Sequence, residues 1–290
     1  MVSQKDISSV HIVECPRDAM QGWPHFIPTE KKIDYLNALL RVGFGTIDFG
    51  SFVSPKAIPQ MADTKDVLKG LDISNTSSKL LAIIANTRGA EDAVAYEQIS
   101  YLGFPFSVSE TFQQRNTNSS IIDSYKVVEQ IQTLCVNHNK QLVVYLSMGF
   151  GNPYGDVFNE EIVNEWAEKI HALGVKIISI ADTVGLATEE SVFKITQSVI
   201  AQLPDTEIGV HLHSTPENLK AKLEAALNAG CKRFDSAIKG IGGCPMAGNV
   251  LVGNFDTEQM IAFFMEKEMN SNIDTDQLKH CSAMAGRIFV

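Results

Sequence analysis

Three short stretches of the chain hold residues whose types and spacing suit chemistry. The first is His211-Leu212-His213. In a strand, successive side chains point to opposite faces, so both imidazoles share one face while Val210 and Leu212 point the other way. Paired imidazoles on one face chelate a divalent cation. Two histidines satisfied by hydrogen bonds fit the pattern equally well. The second stretch is Pro16-Arg17-Asp18-Ala19-Met20-Gln21, where Arg17-Asp18 taken alone reads better as an ion pair closing a barrel. The third is GIGGCPMAGNVLVGN, residues 240–254. Glycines at 240, 242 and 243 permit a tight, mobile loop with Cys244 at its tip. A thiol beside a cation or a guanidinium has a lowered pKa suited to proton transfer, although an inert apolar cysteine is slightly the better reading of that run by itself. Asn254 offers an amide oxygen ten residues later.

Short apolar runs alternating with longer amphipathic ones must position these residues. The β-branched and aromatic runs at 10–14, 45–50, 79–85, 99–106, 141–147, 176–182, 207–213 and 233–238 predict strands. Helical patterns lie between them, such as 29–44 with Thr29 as N-cap candidate, 159–174 ending at Gly174, 188–203 and 216–230. A helix after each of eight strands, with no linker, predicts an α/β fold, a (β/α)8 TIM barrel. The whole chain, 1–290, is expected to form one catalytic barrel domain, with its core over about 10–268 and a C-terminal helical extension. A doubly wound sheet is the alternative, but no G-x-G-x-x-G turn follows the first strand.

In such barrels the chemistry sits at the C-terminal ends of the strands. Strands 1 and 7 are separated there only by strand 8, so Asp18 can complete a site with His211 and His213. An oxygen-rich mixed set suits Mg²⁺ or Mn²⁺ better than a closed structural zinc centre. Glu14 and Asp48 are expected close together on neighbouring strands, as paired carboxylates with perturbed proton affinity. Asp182-Thr183 reads at least as well as a loop-bonding pair. The remaining cysteines read as packing residues.

The 290 residues are 44% hydrophobic, and 24 basic against 34 acidic side chains give a formal charge of −10. That balance argues against non-specific nucleic-acid binding, which runs on phosphate neutralisation. No stretch reaches the roughly 20 apolar residues of a membrane span, and the N-terminus lacks a signal peptide's apolar core. Five scattered cysteines without a CxxC pair suit a reduced compartment. The expectation is a cytoplasmic protein without nucleic-acid or membrane partners.

Taken together, Arg17-Asp18-x-x-Gln21, Ser51-Phe52-Val53-Ser54-Pro55-Lys56 with Pro59-Gln60-Met61, His211-x-His213 and Gly242-Gly243-Cys244-Pro245 resemble the 3-hydroxy-3-methylglutaryl-CoA lyases, a family within the metal-dependent lyase and aldolase barrels. The likeness extends to Ser109-Glu110, Asn116-Thr117-Asn118 and Asp182-Thr183-x-Gly185. It implies an acyl-CoA thioester substrate, cleaved to acetoacetate and acetyl-CoA as in leucine degradation. By the same resemblance, Asp18, His211, His213 and Asn254 ligate Mg²⁺ or Mn²⁺, Arg17 stabilises enolate-like charge, Cys244 transfers a proton, and Asp48 stands at a catalytic carboxylate. Departures from the family pattern mark a divergent branch: Ala19 replaces a usual glycine, Asp48 a glutamate, Ser214 an aspartate and Pro24 a lysine. One extra residue precedes Asn254, which makes Asn249 a lesser alternative ligand. Another hydroxyacyl-CoA lyase or a Claisen-type synthase of the same superfamily is the nearest rival reading, and a non-catalytic metal-binding barrel the third. Barrels of this kind often pair through outer helices, so a homodimer is the expected assembly.

Overall fold

In the computed structural model, which describes residues 9–243, 253–269 and 272–290, eight parallel strands close on themselves in chain order. They are β1 His11–Glu14, β2 Thr46–Ser51, β3 Lys79–Ile83, β4 Ile99–Ser107, β5 Gln141–Ser147, β6 Ile177–Ala181, β7 Glu207–His211 and β8 Arg233–Ser236. Each falls on a run predicted as a strand, and helices follow them on the outside, so the expected (β/α)8 barrel is the fold. β8 pairs with β1 in register from His11↔Arg233 to Glu14↔Ser236, which closes the ring.

The helices start where short polar side chains replace missing backbone partners. Asn159 accepts from the Ile162 N–H ahead of helix Glu160–Ala172, and Thr188 forms a capping box with Ser191 ahead of Glu189–Gln202; each such cap contributes about 1 kcal/mol. The cap expected at Thr29 differs. Pro28 occupies that position and Thr29 is the first helical residue, its hydroxyl donating instead to Asp63 at 2.8 Å. The fixed φ of proline already suits a helix entrance, and the threonine is free to tie the helix to its neighbour.

Two cores result from strand alternation. The larger lies between sheet and helices, where Ile47, Leu80, Leu102, Val144, Ile178, Ile208 and Phe234 face outward. The smaller fills the barrel with Leu81, Val143, Tyr145 and Ile177. Burying such side chains stabilises by roughly 1.5–3 kcal/mol each before entropy is counted. The C-terminal helix Thr275–Ile288 packs back on the first βα unit: Phe289 meets Trp23 edge-on at 5.3 Å, and the Asp274 N–H donates to the Val42 carbonyl at 2.8 Å. No described helix is long and apolar enough to cross a membrane.

Candidate active site

β1 ends at Glu14, and a short helix, Pro16–Gln21, turns Arg17 and Asp18 over the barrel mouth, with proline at the first helical position. Arg17 is tightly held. Its Nε lies 2.9 and 3.2 Å from the Asp48 oxygens, its Nη2 2.5 Å from Asp48 Oδ2, and its Nη1 3.0 Å from Asp18 and 2.8 Å from Gln21. This fork leaves one Nη2 hydrogen without an acceptor among the described residues, available to an incoming anion. The shorter Asp48 still reaches because the guanidinium extends to β2.

Asp18 is bound on both oxygens: Gln21 donates to Oδ1 at 2.9 Å and the Asn254 amide to Oδ2 at 2.7 Å. Asn254 therefore sits against Asp18, and a bridge pairs its backbone with that of His213. Gly242 makes the approach possible. With φ +109°, a Cβ there would come 2.7 Å from the Asn254 amide nitrogen and 3.0 Å from the Ala19 Cα. Close passage of backbone explains that glycine.

The two histidines share one face as the strand period requires, with Val210 and Leu212 in the outer core. Their ring centroids are 5.6 Å apart at 80°. Arg17, Asp18, Asp48, His211 and His213 line one cavity of about 390 Å³, which continues past Tyr145, Ser147 and Thr183 to Val53, Ile58, Phe112 and Asn116. A carboxylate from the helix after β1 and imidazoles from the end of β7 and just beyond it thus meet at one rim. Cys244, and with it Asn249, lies outside the described residues.

Electrostatics separates the roles. Burial pushes Asp18 up, but Arg17, His211 and the Asn254 hydrogen bond outweigh it and hold the carboxyl below its ordinary value. Burial pushes Asp48 up to about 6 in spite of Arg17. His211 loses from burial and gains more from Asp235, so its pKa is raised. His213 falls to about 4 through burial and its neighbour His211, which leaves a neutral ring with a lone pair at pH 7.

The orphaned atoms test the fit of a cation. Both His213 ring nitrogens and Asn254 Oδ1 are buried without a good hydrogen bond, although the Asp182 backbone approaches the ring. Unpaired buried acceptors beside an ionised carboxylate are the donor set a divalent cation satisfies. Among the described residues, the one trio of histidine, cysteine and carboxylate donors mutually within 4.8 Å is Cys15, His211 and Asp235; Asp18 and His213 flank it in the same mouth. The sequence alone reads Cys15 as a packing residue and gives Asp235 no role; its one signal is the charged pair Arg233-x-Asp235 pointing one way from β8.

One expected pair does not form. Glu14 aligns with Ile47 rather than with Asp48, so the two carboxylates face opposite sides of the sheet. Glu14 points outward, accepting from the Ile238 N–H at 2.9 Å and the Thr257 hydroxyl at 2.6 Å. Burial raises it to about 8. Asp182 and Thr183 are loop-bonding residues: Asp182 accepts from the Ala187 N–H at 3.0 Å and from Lys222 at 3.2 Å, and Thr183 from the Met148 N–H at 2.8 Å. Lys222, absent from the sequence reasoning, also holds the His213 carbonyl at 2.7 Å.

A closed parallel barrel with a carboxylate, two imidazoles and an arginine at its C-terminal mouth defines the class of metal-dependent barrel lyases. Comparison with known proteins gives the family. The HMGL-like pattern matches residues 10–285, and the chain belongs to that family, whose lyases depend on a divalent metal. A hydroxymethylglutaryl-CoA lyase of Bacillus subtilis is 33% identical over 263 residues, 91% of this chain and 87% of the relative. The crystal structure of a Bacillus subtilis HMG-CoA lyase superposes with a TM-score of 0.91 at 31% identity, over 97% of this chain and 94% of the other. An Acinetobacter baumannii HMG-CoA lyase, solved with coenzyme A and 3-methylmalate, gives 0.89 at 31% identity over 97% and 91%.

Proposed function

We propose that this chain is a hydroxymethylglutaryl-CoA lyase, which cleaves 3-hydroxy-3-methylglutaryl-CoA to acetoacetate and acetyl-CoA in leucine degradation. The observation that carries this reading is the convergence of Arg17, Asp18, His211 and His213 on one cavity, with orphaned donors on His213 and Asn254. Relatives named for the same reaction and a relative solved with coenzyme A support it.

Asp18, His211, His213 and Asn254 would hold the cation, and oxygen-rich donors favour Mg²⁺ or Mn²⁺. A bound divalent cation supplies Lewis-acid polarisation of a substrate hydroxyl and carboxylate. The chain's own groups do the rest. Cleavage breaks the carbon–carbon bond and leaves the electron pair on the thioester enolate, and in the net step the proton lost by the tertiary hydroxyl is balanced by one gained at the departing carbon. Arg17, locked by Asp48 and Gln21, presents its remaining Nη2 hydrogen to that developing charge without reorganising. Asn254 and Gln21 keep Asp18 oriented. Proton return to the departing carbon is the role assigned to Cys244 from its motif.

The site residues, the assembly and the location belong to the same proposal: one catalytic barrel over residues 1–290, a homodimer, in the cytoplasm. The decisive experiment incubates purified protein with 3-hydroxy-3-methylglutaryl-CoA, with Mg²⁺ or with a chelator, in a coupled acetoacetate assay. Release that depends on the metal is expected. A folded, metal-loaded protein that releases none refutes the substrate, and consumption of acetyl-CoA with a 2-oxo acid would mark a synthase.

A further inference from the structure

Below the barrel mouth lies charge that none of these roles uses. Arg233 and Asp235 stand two apart on β8, both inside the barrel and both buried. Asp235 Oδ2 is 3.1 Å from His211 Nδ1, while its other oxygen has no partner. Arg233 Nη1 lies 3.2 Å from His11 and 3.5 Å from Glu207, and Asp235 is close enough to support its buried charge.

A cysteine, an imidazole and a carboxylate within 4.8 Å of one another would suit a second, softer cation. The hydrogen bond argues against it. A carboxylate at this distance is an acceptor, so Nδ1 carries the hydrogen and has no lone pair to give, and Arg233 beneath would repel an added cation. The same hydrogen has a consequence on the other side of the ring, where Nε2 must then be the lone-pair nitrogen.

We propose that Asp235 is a positioning residue: by accepting the Nδ1 hydrogen of His211 it fixes the tautomer and ring orientation in which Nε2 faces the cation site, while the buried charge of Arg233 balances that of the carboxylate without a hydrogen bond between them. The two histidines then differ in kind. His211 is preset by a buried carboxylate, whereas His213 has no side-chain partner on either ring nitrogen. Removing such a supporting partner typically lowers metal affinity 10–100-fold. The inference rests on reading His211 as a metal ligand.

The test uses ¹⁵N-histidine-labelled, metal-free protein at a pH where His211 is neutral, its ring signals identified by their loss in His211→Gln. A long-range ¹H–¹⁵N correlation should show hydrogen on Nδ1; hydrogen on Nε2 overturns the proposal. Mn²⁺ binding, followed by the spectrum of the free ion, should weaken on the order of 10–100-fold in Asp235→Ala, and affinity within twofold of wild type also overturns it. Should that variant not fold, the wild-type tautomer alone decides. Wild-type protein that binds no Mn²⁺ would sink the metal reading, while the tautomer would still judge the link between Asp235 and His211.

Discussion

Glu14→Gln separates a buried carboxyl from the chemistry next to it. Glu14 ionises near 8 in the folded protein against an ordinary 4.5, because burial outweighs its hydrogen bonds from Thr257 and Ile238; Glu258 and Asp256 add to the effect, and Tyr35 and Cys281 face it. Between those two pH values the unfolded chain has released a proton that the folded chain keeps. Its contribution to stability is thus complete below pH 4.5 and is lost as pH rises through 8. The gap between 4.5 and about 8, at ~1.4 kcal/mol per pH unit, sets an upper bound of about 5 kcal/mol. Glutamine keeps an acceptor for the Ile238 N–H and has no charge to bury. Thermal melts at pH 5, 7 and 9 should find the variant gaining on wild type as pH rises, by on the order of 5–10 °C at pH 9 relative to pH 5. A difference between the two proteins that stays constant across this range would refute the account of Glu14 as a buried, proton-retaining group.

Arg17→Lys keeps a charge but loses the fork to Asp48, Asp18 and Gln21, and kcat should fall about 10²–10³-fold with Mn²⁺ affinity little changed; turnover within tenfold of wild type would remove the enolate role. Asp18→Ala should abolish both Mn²⁺ binding and acetoacetate release, as read by isothermal titration and the coupled assay. Lys222→Met strips the buried partner from Asp182 and the donor from the His213 carbonyl, so denaturant titration should find about 3–5 kcal/mol lost. Cys244→Ser should fold as wild type and lose most of its turnover, and unaltered turnover would dismiss the thiol as the proton carrier.

The barrel and the meeting of Arg17, Asp18, His211 and His213 at its mouth were legible in the one-dimensional chain. Eight apolar runs spaced by amphipathic segments admit few closed arrangements, and the strand period alone puts His211 and His213 on one face. The closing order of the strands then brings Asp18 to them from nearly 200 residues away along the chain. Periodicity is a local property, so it survives in a one-dimensional reading. Register and facing across strands became visible with the folded chain. It set Glu14 beside Ile47 instead of Asp48, so that one carboxylate clamps Arg17 and the other is a buried tie to Thr257. It also seated Asp235 under His211, a contact that follows from the register of β7 against β8, Gly209 to Arg233 and Val210 to Phe234. Nothing in the spacing of those residues encodes such an alignment, because the packing of the whole closed sheet sets it.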